Sequence, residues 1–310
     1  MNKQVSQANR ALFALKTKRN KFRLPIDIYI KLFDNMIMPI LLYGCEIWGH
    51  ENIDMVESFY MKFLKNAIHV QKNTANCMVH GETGTTPISI IIQEKLLIFW
   101  HRLVTGDQTK LSNIIYSTQK NLFVTPNEYK SPWLSNIKNI LDRCGMTYIW
   151  ENPNIIENHS FKKAIKLRLI DIYNQNWHAE VMRSNVCLNY RIFKETKILE
   201  YYLKNLDLKE RINLCKFRCG NTLIPVVTGR FYGLDFEDRV CLLCNKGDIG
   251  DEYHYVMACA FFKKERQKFI DVYYWNNPNC IKFGSLFSSN DIKTLCNLSK
   301  FTKIISDKFK

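Results

Sequence analysis

The chain has 310 residues, 46% of them apolar and 24% charged, with only 12 Gly and 8 Pro, which excludes a disordered tail, a collagen-like repeat and a small stapled scaffold. The 44 Lys and Arg against 29 Asp and Glu leave a formal charge of +15, a balance that favours a polyanionic partner and says little about fold. The longest apolar run, residues 36–43, contains Pro39 and is far shorter than the roughly 20 residues of a bilayer-crossing helix, so no membrane partner is expected.

Residues 1–23 carry Lys3, Arg10, Lys16, Lys18, Arg19, Lys21 and Arg23 and no acid, while Val5, Ala8, Ala11, Leu12 and Leu15 share one helical stripe. A core-facing helix reads this way, and so does a mitochondrial presequence. Pro25 suits a first helical position, and the run 26–43 ends at Gly44, which predicts one helix with both ends marked. Residues 52–70, beginning at Asn52, predict a second, amphipathic helix, and Thr86-Pro87 opens a third that stops at Gly106. Between them, Gly81-Glu82-Thr83-Gly84 reads as a loop between helices. Ser131-Pro132 opens a helix closing near Gly145, and Asn152-Pro153 breaks the chain before a long pattern over 161–182. A further helix over 207–219 leads into a stretch crowded with Pro225, Gly229, Gly233, Gly247 and Gly250, where the helical regime ends. Helix resumes near Cys259 and again from Asn290. The expected fold is mainly α: a helical bundle over 1–145, a helical connecting region over 146–204, a small module with flanking helices over 205–275, and a C-terminal helix over 276–310.

The sharpest chemical pattern lies in the Gly-rich stretch: Cys241-Leu242-Leu243-Cys244, then His254 and Cys259. Zinc takes four sulfur or imidazole donors in a tetrahedron, and Cys-x2-Cys folds into a knuckle that aims two thiolates at one point. With 11 cysteines in 310 residues such a pair arises by chance roughly 0.4 times, but the added His and Cys make the full set rare. On an undistorted α-helix His254 and Cys259 would stand about 140° out of phase, so a break or tightened turn is expected between them, with a new helix close to Cys259. Cys215, Cys219 and Cys280 are the alternative ligands. A closed set of four protein donors leaves no position for water, so the zinc would be structural and not hydrolytic.

No Asp-Asp dipeptide, Gly-x4-Gly-Lys-Ser/Thr, Gly-x-Ser-x-Gly or His-Glu-x2-His occurs, and no small-molecule substrate is expected. His50, His69, His80, His101, His159 and His178 have no acid or thiol at telling spacing and read as surface or core residues. Three basic blocks remain: Lys16 to Arg23; Lys162, Lys163, Lys166 and Arg168; and Lys263, Lys264, Arg266 and Lys268. The first and third lie among aromatics (Phe13, Phe22, Phe261, Phe262, Tyr273, Tyr274, Trp275), a mixture that suits single-stranded nucleic acid, provided the rings are not buried. Without a secretory signal, the cysteines fit a reducing, intracellular compartment, nuclear or cytoplasmic.

Two islands resemble one family. The run Ile37-Met38-Pro39-Ile40-Leu41-Leu42-Tyr43-Gly44-Cys45-Glu46-Ile47-Trp48-Gly49 is similar to the segment that follows the palm in non-LTR (LINE-type) retrotransposon reverse transcriptases. The stretch 218–266, with Gly229-Arg230, Arg239-Val240-Cys241, Asp251-Glu252-Tyr253-His254 and Cys259, resembles that family's terminal zinc-binding module. The resemblance implies a thumb-like bundle at 1–145, zinc on Cys241, Cys244, His254 and Cys259, and a grip on RNA or DNA to which Arg230 and Arg239 would contribute. It does not carry polymerisation over, because the paired palm aspartates that hold the two catalytic metals are absent from these residues. The expectation is a non-catalytic nucleic-acid-binding remnant or fragment, gripping through Lys16, Lys18, Arg19, Lys21, Arg23, Arg230, Arg239, Lys263, Lys264 and Arg266. The alternatives are a zinc-stabilised protein-interaction scaffold, or a polymerase piece acting in trans with a separate palm.

Overall fold

The computed structural model describes residues 2–51, 53–124 and 131–310. Asn52, the expected start of the second helix, and residues 125–130 of the expected first region lie outside them. Among the described residues the fold is helical. Among them no strand forms, and β pairing is confined to two isolated antiparallel bridges, Thr83 with Leu199 and Val240 with Ile249. No helix among them is long and apolar enough to cross a membrane. The chain packs as two compact units, one of Met1–Arg23, Lys31–Tyr60 and Thr86–Asn176, the other of Leu24–Ile30, Met61–Thr85 and Trp177–Lys310.

The first unit is organised by the Ile88–Thr105 helix, which starts after Pro87 as the sequence indicates. Its Leu96, Leu97 and Trp100 meet Ile137 and Leu141 of the Pro132–Arg143 helix, and Phe161, Ile165 and Leu169, in one core. Each such side chain contributes about 1.5–3 kcal/mol by leaving water. Trp100 stacks on Trp150 with centroids 5.6 Å apart and donates Nε1–H to the Tyr116 hydroxyl at 3.1 Å. His101 is a satisfied core histidine: it is fully buried, its Nδ1 is 2.7 Å from Asn158 Oδ1, and its Nε2 is 3.1 Å from Pro153 O. Ser131 caps the Pro132–Arg143 helix by accepting Leu134 N–H at 3.3 Å, and Gly145 follows it at φ +68°. The Asn2–Phe22 helix buries Ala8, Leu12 and Leu15.

Three expectations need correction here. The helix predicted over 26–43 stops at Met36, and a separate short turn, Met38–Leu41, follows. Pro39 has no N–H to extend the first helix and its ring would strike the preceding turn, whereas the first turn of a new helix accepts it. Gly81-Glu82-Thr83 is not a loop but the end of the Asn76–Thr83 helix, with Gly84 at φ +68° as its cap. Regular helix also occurs at Leu111–Val124 and Cys280–Phe287, which the sequence reading did not separate out.

The second unit is built around that buried Asn76–Thr83 helix. Phe193, Phe217, Phe283 and Phe287 form a ring cluster, with Phe193 and Phe287 stacked at 4.9 Å. Inside it Arg218 takes both Glu82 oxygens at 3.0 Å and donates to Phe287 O at 2.6 Å, while the Tyr202 hydroxyl donates to Glu82 at 2.5 Å. Glu200 completes the set by accepting from Arg218 and Lys194. A buried charge is tolerated when paired and hydrogen-bonded on all sides, and Glu82 and Arg218 both meet that condition.

Candidate metal centre

Two sulfurs come from a short hairpin in the second unit. Val240 pairs with Ile249, Cys241 N–H donates to Asp248 O at 2.8 Å, and Gly250 N–H donates to Arg239 O at 2.8 Å. Gly247 makes the reversal at φ +73°, where a side chain would be strained. Within the knuckle Leu243 N–H points at the Cys241 sulfur at 3.4 Å.

The other two donors come from one distorted turn. His254–Ala258 is a π turn, closed by Cys259 N–H to His254 O at 2.7 Å. The chain then leaves the helical region at Cys259 (φ −57°, ψ 123°) and enters the Ala260–Phe262 and Lys263–Phe269 turns of helix. The break and the new helix fall where the spacing required them. The turn is widened, however, not tightened. A 3-10 turn would leave residues five apart about 120° out of phase, whereas i→i+5 bonding brings them closer to one face than either 3-10 or α geometry does.

All four donor atoms lie within 4.8 Å of one another, and all four residues are buried. Cys241 Sγ is 3.9 Å from Cys259 Sγ, and Cys244 Sγ is 3.3 Å from His254 Nε2. A tetrahedral zinc site has sulfur–sulfur edges of about 3.8 Å and sulfur–nitrogen edges of about 3.6 Å, so the set fits a metal ion. Cys215 and Cys219, the alternative ligands, are buried beside Glu82 and Arg218, and Cys280 is exposed; none belongs to the cluster.

The surroundings prepare the donors. His254 Nδ1 lies 3.4 Å from Asp248 Oδ2, which fixes the ring so that Nε2 faces the sulfurs. Burial holds the imidazole below its usual pKa, hence neutral and able to ligate at pH 7. At Cys241, burial raises the thiol pKa, but hydrogen bonding around the sulfur, that of Leu243 N–H included, outweighs it and brings the net shift down. Burial pushes Cys259 up to about 12; a metal ion would displace that proton. Asp251 accepts His254 N–H at 2.8 Å and is itself held by Asn189 Nδ2 at 3.0 Å.

The basic residues separate into two groups. Lys18, Lys21, Arg23, Lys263 and Lys264 are exposed, Lys16 and Arg19 are half-buried, and the rings of Phe13, Phe22, Phe261 and Tyr273 reach solvent. Arg266 does not fit the role of a phosphate contact. Arg266 is 5% exposed, and its guanidinium donates to the carbonyls of Val256 at 2.7 Å, Cys259 at 2.8 Å and Tyr255 at 3.2 Å. These carbonyls are left over by the π turn, and Arg266 reaches back to cap them. Arg239 donates twice to Leu234 O, at 2.6 and 3.1 Å, and lies against Gly229, where a Cβ would come within 2.6 Å of its stem. Arg230 is half-buried near Glu252. Phe262 is buried as well, which removes one ring from the third block.

No protein-family model, curated protein or solved structure matches the chain.

Proposed function

We propose that the Cys241–Cys244–His254–Cys259 cluster holds a structural zinc ion and that the chain is a non-catalytic nucleic-acid-binding protein akin to the C-terminal part of non-LTR retrotransposon reverse transcriptases. The observation that carries this reading is the convergence of those four donors, at the positions where the resemblance to the family's terminal module would place them. It is supported by Lys263 and Lys264, exposed at the start of the helix that follows the last ligand. In this reading zinc fixes the hairpin and the π turn, and exposed lysines supply sequence-independent affinity for phosphates. The basic Asn2–Phe22 helix, with Phe13 and Phe22 exposed among its cations, is a second candidate contact in the first unit.

The test is binding of a single-stranded RNA oligonucleotide at a series of salt concentrations. Affinity is expected to fall steeply, and Lys263→Ala/Lys264→Ala should reduce the slope of log K against log salt by about 1.4, two phosphate contacts at about 0.7 each on a single strand. Binding negligible at low salt would sink the proposal in favour of the protein-interaction scaffold. That second reading draws on the exposed apolar side chains Phe231 and Tyr232, at the end of the Pro225–Phe231 helix, and Leu242, within the knuckle, which are 69%, 80% and 75% exposed. Primer extension by the chain alone is expected to fail; metal-dependent synthesis would contradict the denial of catalysis.

A further inference from the structure

Outside the metal cluster, two other cysteines of the second unit stand in contact. Cys77 Sγ and Cys187 Sγ are 3.8 Å apart although 110 residues separate them in sequence, and both side chains are buried. Cys77 lies in the first turn of the Asn76–Thr83 helix, and Cys187 in the tight turn after the Asn158–Arg183 helix, where its N–H donates to Ser184 O. The two segments are fastened on either side of the sulfurs. Trp177 Nε1–H donates to Cys77 O at 2.8 Å, and the Tyr190 hydroxyl donates to Met78 O at 3.3 Å. Gly81 completes the seat: a Cβ there would lie 2.3 Å from the Tyr190 hydroxyl oxygen and 3.1 Å from the Trp177 ring. A disulfide would bring these sulfurs from 3.8 Å to about 2.05 Å between segments fastened on both sides.

We infer that Cys77 and Cys187 are a reversible oxidation site, forming a disulfide that ties the Asn76–Thr83 helix to the 184–190 turn when the chain meets a peroxide. Cys187 is the attacking sulfur. A hydrogen bond from Cys77, together with one from Ser184, pulls its pKa down, and the same sulfur–sulfur hydrogen bond, with burial, pushes Cys77 up. The Cys187 thiolate attacks one peroxide oxygen, the O–O bond breaks, and hydroxide leaves as the sulfenic acid forms. Cys77 sulfur then attacks the sulfenic sulfur and expels its oxygen as a second hydroxide. Both thiol protons end in water, so two thiols lose two electrons and one hydrogen peroxide becomes two waters. The neighbouring pair Cys215 and Cys219 is expected to stay reduced. They are four apart on one helix, where Cβ atoms stand about 5–6 Å apart, wider than the roughly 3.5–4.5 Å of a disulfide.

The experiment uses the full zinc-loaded chain, titrated with hydrogen peroxide and then alkylated. Trypsin releases Cys77 within residues 73–95 and Cys187 within 184–191, each the sole cysteine of its peptide. Mass spectrometry is expected to find these two peptides joined, two hydrogens lighter than their sum, before any other cysteine pair, and separated again by dithiothreitol. The oxidised chain should melt several degrees higher than the reduced one, since the bond closes a long loop. Cys77→Ser and Cys187→Ser should each abolish that peroxide-dependent rise. Recovery of both peptides alkylated while other cysteines oxidise overturns the inference, and so does a joined pair with no gain in melting temperature. Should either serine variant fail to fold, the peptide map of the unaltered chain decides alone.

Discussion

Glu82 has two oxygens and three donors on them: both sides of the Arg218 fork and the Tyr202 hydroxyl. Burial by itself would raise its pKa, but Arg218, then Lys194, hold the carboxyl below its usual value. Glu82→Gln should therefore cost about 3 kcal/mol, the low end for a broken buried pair, because the buried guanidinium keeps Glu200 as a counter-charge, while replacing the pair with apolar residues of matching volume should cost much less. Urea denaturation of the three proteins measures both. Next to it in the same helix, His80 has the opposite problem. Burial, and behind it Lys197 and Lys65, hold its imidazole down to about 3, and Nδ1 is 2.9 Å from the Thr85 hydroxyl. The unfolded chain takes up a proton at this histidine as pH falls below about 6.5 while the folded one resists until about 3, so the stability His80 confers is complete above that window and drains away through it. The advantage of the unaltered chain over His80→Gln should shrink by about 1.4 kcal/mol per pH unit between about pH 6 and pH 4. A constant difference across that range would show that the imidazole is not buried neutral.

At the scale of elements, the π turn of His254–Ala258 is the feature on which the donor set depends, and Arg266 is its counterpart. Arg266→Met removes the donors to three buried carbonyls, one of them on the ligand Cys259. Loss of such an outer partner should weaken metal affinity about 10–100-fold, which competition against a chelator measures; Arg266→Lys should recover little, since one ammonium cannot span the three oxygens that the fork reaches. The sequence made the four donors legible because their spacing carries the chemistry, and it made a distortion between His254 and Cys259 legible because regular α geometry forbids their meeting. It could not say whether the turn would tighten or widen, since both break the same pattern. Arg266 was misread for a related reason: a cation in a run of cations looks solvated until the carbonyls it must cap are known. Helix ends marked by Ser131-Pro132, Gly145 or Pro87 were readable from local chemistry. The Asn76–Thr83 helix was not, because it is buried almost all round and a helix without a wet face has no amphipathic period.

For the whole molecule, the two units differ in what holds them. The first has a core of its own, in which Trp100, Trp150 and Phe161 pack with the leucines and isoleucines of the Ile88–Thr105 and Pro132–Arg143 helices, with no metal-binding cluster among its described residues. In the second unit, the hairpin around Cys241 contains little regular structure, and its two sulfurs meet that of Cys259 as three thiolates that repel one another once deprotonated. A bound divalent ion converts that repulsion into folding free energy, so its removal should release this segment first. Chelation of the purified chain followed by hydrogen exchange is the measurement. Amides of 239–266 are expected to lose protection while those of 88–105 and 132–143 keep theirs. The near-ultraviolet signal should persist for the same reason, since four of the six tryptophans (Trp48, Trp100, Trp133 and Trp150) belong to the first unit. Loss of protection in both units together would mean that the ion supports the entire fold and not one segment of it, and a segment unchanged by chelation would mean that the cluster draws its order from packing alone.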